Sequence, residues 1–223
     1  DEVQMLESIE REAFQGTSTF VRIDRDLVRE NAVYLAAVRD WLPEERELGR
    51  RYSISTQSQK AYDSLLARIK RNFYRNFLDK VTKPKLPGDY IAGFIGLWFV
   101  LDETHVVMIA LRDKDRRKGI GEQLIISALE HAVARGARIV TLEVRQSNEP
   151  AIELYLKYGF HKVGLRRRYY DDGENAVIMT TPQIQSDDFQ RQFTRLLEQH
   201  SYRWGWVPRP EFGAPKSDSN EVV

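Results

Sequence analysis

A run of six apolar residues, Val106–Leu111, leads into a charged turn, two glycines and then an amphipathic helix. The run has the length of a buried strand, and apolar residues continue at helical spacing from Ile120 to Ala134. A helix that opens directly after such a turn leaves several backbone N–H groups without partners inside the helix. The positive end of the helix dipole adds to the field of these N–H groups, so the stretch predicts a binding site for an anion.

The composition of the turn indicates that this anion is a phosphate group. Gly119 and Gly121 allow the backbone to come close to a diphosphate, and Arg116, Arg117 and Lys118 add positive charge beside it. The turn is neither the three-glycine dinucleotide fingerprint nor the phosphate loop that ends in Gly-Lys-Ser or Gly-Lys-Thr. On this stretch alone, an ordinary strand-to-helix turn with solvated charges is the alternative interpretation.

Composition excludes several classes of function. The 223 residues include no cysteine, which rules out disulfides, thiolate catalysis and cysteine-ligated metals, and the four histidines lack the spacing of metal ligands. The 34 basic and 33 acidic residues nearly cancel, so the net charge gives no reason to expect a nucleic-acid partner. The longest apolar run, Tyr90–Leu101, is too short to span a membrane, and no signal peptide is recognisable. We therefore expect a soluble, cytoplasmic protein that binds no metal, membrane or nucleic acid directly.

Periodicity predicts strands and helices in alternation between Tyr90 and Thr180. In chain order the expected elements are strand Tyr90–Leu101, strand Val106–Leu111, helix Ile120–Ala134, strand Ile139–Arg145, helix Pro150–Lys157 and a hairpin of His161–Tyr170 with Asn175–Thr180. This order predicts an α/β fold in which helices cover a mixed sheet.

Helices are predicted on both sides of this core. Before it, apolar stripes predict helices over Glu2–Phe14, Asp24–Leu42 and Gln57–Asn72. After it, Asp187–His200 has the pattern of an amphipathic helix, and the Pro- and Ser-rich residues beyond Trp206 are expected to be disordered.

Two motifs at matching spacing resemble the GNAT acetyltransferase superfamily. They are Arg116-x-x-Gly119-x-Gly121 after one strand and Asn148-x-x-Ala151-x-x-Leu154-Tyr155-x-x-x-Gly159-Phe160 after the next. The segments Leu142–Asn148, Arg167–Tyr170 and Ala176–Met179 resemble more closely the RimI-type members, which acetylate the α-amino group of ribosomal and other protein N-termini. The resemblance covers Tyr90–Met179.

The resemblance implies a GNAT fold over residues 1–182, in which a mixed central sheet is flanked by helices and the cofactor-binding core spans 90–180. Within this fold, an extended N-terminal helical segment precedes the cofactor-binding core. A C-terminal helix within 183–206 and a tail over 207–223 follow the fold. Residues 17–85 are longer than the family's second-helix region and match it poorly, and the family's opening strand has no counterpart in this sequence, which starts where that strand should end. In the family, the region that corresponds to residues 17–85 helps to line the pocket for the acceptor amine. Because this region matches poorly, the identity of the acceptor is the part of the prediction that the resemblance constrains least.

The resemblance also implies acetyl-CoA as the co-substrate. The backbone of Ile109–Leu111 would pair with its pantetheine arm, the N–H groups from Arg117 to Glu122 would hold its diphosphate, and Asn148 would contact it beside the thioester. The residues assigned to the co-substrate are Ile109, Ala110, Leu111, Arg116, Arg117, Lys118, Gly119, Ile120, Gly121, Glu122 and Asn148. Asn148 is equally suited to begin a helix, and the two roles are compatible.

For catalysis, the resemblance implies that Glu143 is the general base and Tyr155 the general acid. A carboxylate acting through water can deprotonate an α-amino group, because the pKa of that group is ~7.7–8.0. A lysine amine, with a pKa near ~10.4, is harder to deprotonate. Tyr169 and Tyr170 are expected to contact the acceptor peptide. Without the motifs, Glu143 would be a solvated carboxylate or a partner of Arg145, Tyr155 a core residue, and the two later tyrosines part of a solvated hairpin.

The sequence therefore predicts an acetyl-CoA-dependent N-acetyltransferase that acts on a protein or peptide N-terminus, with a ribosomal protein as one candidate acceptor. Two alternatives stay open. The first is an acetyltransferase for small amines such as polyamines or amino acids, which would need a closed acidic pocket. The second is a non-catalytic CoA-binding module, against which the presence of Glu143 and Tyr155 counts.

Overall fold

The computed structural model of the chain describes residues 2–14, 23–39 and 90–204. In chain order they form α1 (Glu2–Ala13), α2 (Ile23–Asp26), β1 (Ala32–Arg39), β2 (Tyr90–Val100), β3 (Glu103–Leu111), α3 (Ile120–Ala134), β4 (Ile139–Arg145), α4 (Glu149–Lys157), β5 (His161–Arg166), β6 (Ala176–Thr180) and α5 (Asp187–Trp204). None of the helices in these ranges has the length and apolar character needed to cross a membrane. The predicted helix Gln57–Asn72, most of segment 17–85 and the tail 207–223 lie outside the described residues.

Within the described ranges, six strands form one sheet in the order β1-β2-β3-β4-β6-β5. Its neighbouring strands are antiparallel except for β3 and β4, which run parallel and are connected through α3. A parallel pair requires such a crossover, because the chain must return to the same end of the sheet. The predicted mixed sheet covered by helices is therefore confirmed.

Two apolar clusters cover the sheet, one on each of its faces. Side chains of α3, α4 and α5 pack with Val140 and Leu142 of β4 in one cluster. Side chains of α1 pack with Phe94 and Met108 in the other. Because successive side chains of a strand alternate between faces, Glu143 of β4 points away from the face that α3 covers.

The ladder between β3 and β4 ends early. It comprises four residue pairs and ends where Val106 pairs with Leu142, although both strands continue beyond this level. A bulge at the same level places Val107 out of register with β2. The two parallel strands are therefore unpaired beyond Val106, which leaves an opening in the middle of the sheet.

The predicted helix Asp24–Leu42 is wrong. This stretch begins with the short helix α2, but its later part forms β1, which pairs antiparallel with β2. Val33 and Leu35 contribute to one apolar cluster, whereas Tyr34 and Ala36 contribute to the other. Because both faces of β1 are buried, its sequence is a continuous apolar run without polar alternation, and such a run also satisfies helical spacing.

The C-terminal helix α5 extends to Trp204, beyond the predicted end at His200, and packs across α3 and α4. Its buried residues are Phe189, Phe193, Leu197 and His200. The ring of Phe193 meets that of Tyr158 edge-on, with 6.4 Å between centroids. Nδ1 of His200 lies 3.4 Å from Oε2 of Glu122 in the first turn of α3. The end of α5 is thereby held beside the glycine turn.

Candidate active site

The turn between β3 and α3 offers six backbone N–H groups that have no partner among the described residues. They belong to the consecutive residues from Arg117 to Glu122, and the first hydrogen bond of α3 is donated by the N–H of Gln123 to the carbonyl of Gly119. Gly119 precedes the helix with a φ of 76° and provides no side-chain cap. The turn thus has the set of donors that the predicted anion site requires.

A buried carboxylate anchors this turn. Asp115 is 1% exposed and pairs with Lys118 at 3.2 Å. Arg116 pairs with Asp113 at 2.9 Å, whereas Arg117 forms no ion pair with a described residue. Two of the three predicted cations are therefore partly neutralised within the turn, and the backbone N–H groups account for more of its attraction for an anion than the sequence indicates.

Ile109, Ala110 and Leu111 lie on the part of β3 that has separated from β4. They pair with β2 on one side, and the ladder to β4 on the other side ends at Val106. The backbone groups on that second side form no strand pairs with the described residues. An extended ligand that carries amide groups can pair with them in the manner of an added strand.

Glu143 follows directly after Leu142, the last residue of β4 that pairs with β3, and so lies at the mouth of the opening. Its side chain is 30% exposed, its Oε1 lies 3.1 Å from Nη2 of Arg166, and its Oε2 accepts a hydrogen bond of 3.3 Å from the hydroxyl of Tyr169. Arg145, the alternative partner considered from the sequence, instead pairs with two carboxylates of the hairpin at 2.6 Å and 2.9 Å. Glu143 is therefore held in place by the hairpin and still accessible to solvent.

Tyr155 lies on α4, where it is 4% exposed and packs on Phe160 with 5.8 Å between ring centroids. Burial raises the pKa of Tyr155 well above its usual value, and the neighbouring Tyr170 raises it further. The hydroxyl forms no hydrogen bond with a described residue. Tyr155 is therefore a core residue, as the alternative interpretation predicts. Its hydroxyl is also protonated at neutral pH and does not donate this proton to a described residue.

Tyr169 and Tyr170 lie in the loop of the hairpin with their rings edge-on, 5.2 Å apart between centroids. The hydroxyl of Tyr169 reaches Glu143, and the guanidinium of Arg145 lies 4.0 Å from the centre of the Tyr170 ring. Burial raises the pKa of Tyr170 to about 12, so its hydroxyl is protonated at neutral pH. The structure therefore brings the two tyrosines predicted to bind the acceptor close to the predicted base.

Asn148 is the residue that precedes α4. Its Oδ1 accepts a hydrogen bond of 3.3 Å from the N–H of Ala151, so its predicted role in beginning the helix is confirmed. The residue is otherwise exposed. Its contact with the co-substrate stays a prediction.

Two contacts at the site were not expected from the sequence: Arg166 pairs with Glu143, and the ring of Trp204 packs on Gly119. The pairing of strands could have indicated the first contact, because the hairpin places β5 in the same sheet as β4, with β6 between them. The apolar stripe of α5 could have indicated the second, because Trp204 follows Leu197 by seven residues, which is about two helical turns.

We expect Gly119→Ala to destabilise the protein and Gly121→Ala to leave its stability close to that of the wild type. At a φ of 76° a side chain costs about 1–2 kcal/mol, and the Cβ at position 119 would also lie 2.7 Å from the ring of Trp204. At position 121 the Cβ would meet Leu111 at 3.5 Å, an ordinary contact, and alanine favours a helix. Urea unfolding of both variants measures the difference, and equal free energies of unfolding would contradict this prediction.

Comparison with known proteins gives one family. Residues 35–160, more than half of the chain, match the model of the acetyltransferase (GNAT) family. A protein from Bacillus subtilis (strain 168) is 43% identical over 91 residues, which are 40% of this chain and 60% of that protein. The N-alpha-acetyltransferase of Sulfurisphaera tokodaii is 47% identical over 84 residues, which are 37% of this chain and 50% of that protein.

A third relative is matched over more of its length. The ribosomal protein bS18-alanine N-acetyltransferase of Salmonella typhimurium (strain LT2) is 34% identical over 116 residues, which are 50% of this chain and 78% of that protein. The chain therefore spans 50–60% of the length of the first two relatives and 78% of the third.

Proposed function

Since the chain belongs to the acetyltransferase (GNAT) family, we propose that it transfers the acetyl group of acetyl-CoA to the α-amino group of a protein or peptide. The match to the family model confirms the family predicted from the sequence, and the six-stranded mixed sheet with its helices confirms the predicted α/β fold. One observation carries the proposal for this chain: beyond Val106 the strands β3 and β4 are no longer paired, and Glu143 follows at the mouth of that opening. The row of unpaired N–H groups follows the same end of β3, so that a single ligand can reach both features.

The donors of this chain fit acetyl-CoA, which is the acyl donor of the family. A diphosphate is an anion of the kind that the N–H groups from Arg117 to Glu122 can bind. A pantetheine arm is extended and carries amides, so it can pair with the backbone of Ile109–Leu111 as a strand would. When bound, acetyl-CoA supplies a thioester, and Asn148 contacts it near that group.

In the proposed reaction, Glu143 accepts the proton of the acceptor's ammonium group through a water molecule. Arg166 and Tyr169 hold its carboxylate in position. The neutral amine then attacks the thioester carbon directly, without a covalent enzyme intermediate. Tyr155 donates its proton to the departing sulfur, whose thiol has an ordinary pKa near ~8.5, and the second proton that the nitrogen loses as the amide forms restores the hydroxyl of Tyr155. Orientation of the two reactants lowers the barrier by a further ~7–11 kcal/mol.

The surroundings of Glu143 favour a peptide acceptor over a small amine. Tyr169 and Tyr170 present half-buried aromatic rings and hydroxyls next to it, which suit the backbone of an extended peptide. The α-amino group is also the amine that a carboxylate deprotonates most readily, since its pKa is ~7.7–8.0. Similarity to proteins named N-alpha-acetyltransferase and ribosomal protein bS18-alanine N-acetyltransferase supports the same class. The N-terminus of a ribosomal protein is therefore the first acceptor to test.

Incubation with acetyl-CoA and a panel of acceptors tests the proposal. The panel contains peptides that differ in their first residues, the same peptides with a blocked α-amino group, and polyamines, and the release of free CoA thiol is measured. We expect release with at least one unblocked peptide and none with its blocked counterpart. Release with polyamines and with no peptide would support a small-molecule acetyltransferase instead. Binding of CoA without transfer to any amine would support a non-catalytic binding module.

A further inference from the structure

The C-terminal helix α5 ends against the glycine turn. A Cβ built on Gly119 would lie 2.7 Å from the ring carbons Cδ2 and Cε2 of Trp204, so the indole packs directly on the backbone of this glycine. The remainder of Trp204 faces solvent, since the residue is 39% exposed. One surface of the indole therefore covers the turn while the rest stays accessible.

Contacts earlier in the helix fix the position of this indole. His200, one turn before it, is 5% exposed and lies 3.4 Å from the carboxylate of Glu122, and burial lowers the pKa of its imidazole. The same carboxylate accepts a hydrogen bond of 2.8 Å from the hydroxyl of Tyr158 and pairs with Lys157. Glu122 is thus occupied by partners on α4 and α5. It lies beside the end of α5, and its pairing with Lys157 and Tyr158 means that it is not an unpaired negative charge that would repel an anion.

The groups around the indole are donors and cations. Nε1 of Trp204 is bonded to Cε2, one of the carbons nearest Gly119, and its N–H forms no hydrogen bond with a described residue. The unpaired N–H groups from Arg117 to Glu122 lie in the same turn. The guanidinium of Arg203 lies 5.1 Å from the centre of the indole ring. Donors and a cation beside a partly exposed aromatic ring suit a phosphate that is attached to an aromatic base.

We propose that Trp204 is part of the co-substrate site and contacts the diphosphate and adenosine end of acetyl-CoA. The inference rests on the proposed function, because that function supplies the ligand. The indole excludes water from one side of the turn, which strengthens the hydrogen bonds between the N–H groups of the turn and a phosphate, and the exposed part of the ring contacts the base. Binding of the co-substrate and packing of α5 against α3 therefore stabilise each other.

Titration of the full chain with CoA and with 3′-phosphoadenosine 5′-diphosphate tests the inference, with Kd measured by calorimetry. We expect Trp204→Ala to weaken the binding of both ligands by the same factor, on the order of tenfold, because both contain the end that Trp204 contacts. Trp204→Phe keeps an aromatic ring but loses the N–H, and we expect an intermediate loss. Tyr202→Ala is the matched control, since Tyr202 lies in the same last turn and is 94% exposed, and its affinity should equal that of the wild type.

Two results would overturn the inference while leaving the proposed function intact. If both Trp204 variants bound CoA as tightly as the wild type, the indole would make no contribution to the binding of CoA. If they bound it more tightly, the indole would be an obstruction that the ligand has to displace. Failure of the wild-type chain to bind CoA would instead overturn the proposed function together with this inference. Thermal unfolding without ligand identifies a variant that does not fold, and Trp204→Phe then decides the question.

Discussion

Replacing Glu143 by glutamine lowers kcat/KM for a peptide acceptor by on the order of 10²–10⁴-fold and leaves the Kd of CoA unchanged. Glutamine has nearly the same shape, so the packing beside Arg166 and Tyr169 is preserved, but its amide cannot accept the proton of the ammonium group. The loss should shrink as the pH rises above ~8, because the α-amino group then deprotonates without a base. Initial rates of acetyl transfer between pH 6 and 9 measure both effects.

A structural role of Glu143 would give a different pattern. Glu174→Gln is the matched control, since Glu174 is also a carboxylate that pairs with an arginine of this region, Arg145, at 2.9 Å. We expect this control to change the rate little and to leave the pH profile unaltered. A loss for Glu143→Gln that does not depend on pH, or one that the control reproduces, would contradict the assignment of Glu143 as the base.

Replacing Tyr155 by phenylalanine lowers kcat by about 10²-fold, with little change in the KM of either substrate. The hydroxyl of Tyr155 is protonated at neutral pH and so carries the proton that the departing thiolate takes up, although burial raises its pKa and makes it a weaker acid than an exposed tyrosine. Phenylalanine fills the same space against Phe160 and removes only that proton. Steady-state kinetics with acetyl-CoA measures the loss, and an acetyl thioester of a more acidic thiol should reduce it, because a better leaving group needs less protonation.

The control for Tyr155 is a second buried tyrosine next to the same helix. Tyr158 follows α4, and its hydroxyl donates a hydrogen bond to Glu122 at the beginning of α3. We expect Tyr158→Phe to lower the unfolding temperature slightly and to leave kcat unchanged. If Tyr155→Phe did the same and no more, Tyr155 would be a packing residue and the general acid would have to be sought elsewhere.

Local patterns in the sequence were sufficient to predict the centre of the fold. The strand Val106–Leu111, the glycine turn and the helix from Ile120 are consecutive, so each is recognisable without knowledge of its neighbours in space. β4 alternates apolar and polar residues because one of its faces is buried and the other is not. β1 has no such alternation, since Tyr34 and Leu35 are both buried on opposite faces, and its apolar run therefore fits helical spacing as well as a strand.

The parts of the site that depend on tertiary contacts could not be predicted in the same way. The end of the β3–β4 ladder leaves no trace in the apolar run, because every residue from Val106 to Leu111 is compatible with continued pairing. The pairing of Arg166 with Glu143 depends on β6 lying between their strands. The contact of Trp204 with Gly119 joins residues that are far apart in the chain and meet only when α5 packs across α3. Resemblance to a family supplied the roles of the residues, but not these contacts.

The early end of the β3–β4 ladder has a mechanical consequence. It divides the sheet into two three-stranded leaves, β1-β2-β3 and β4-β6-β5, which are joined edge to edge by four residue pairs at one end. Side chains of α3 pack against strands of both leaves, so this helix and the four residue pairs together hold the leaves side by side. A molecule inserted between them beyond Val106 would touch the edge strand of each leaf, β3 on one side and β4, which carries Glu143, on the other.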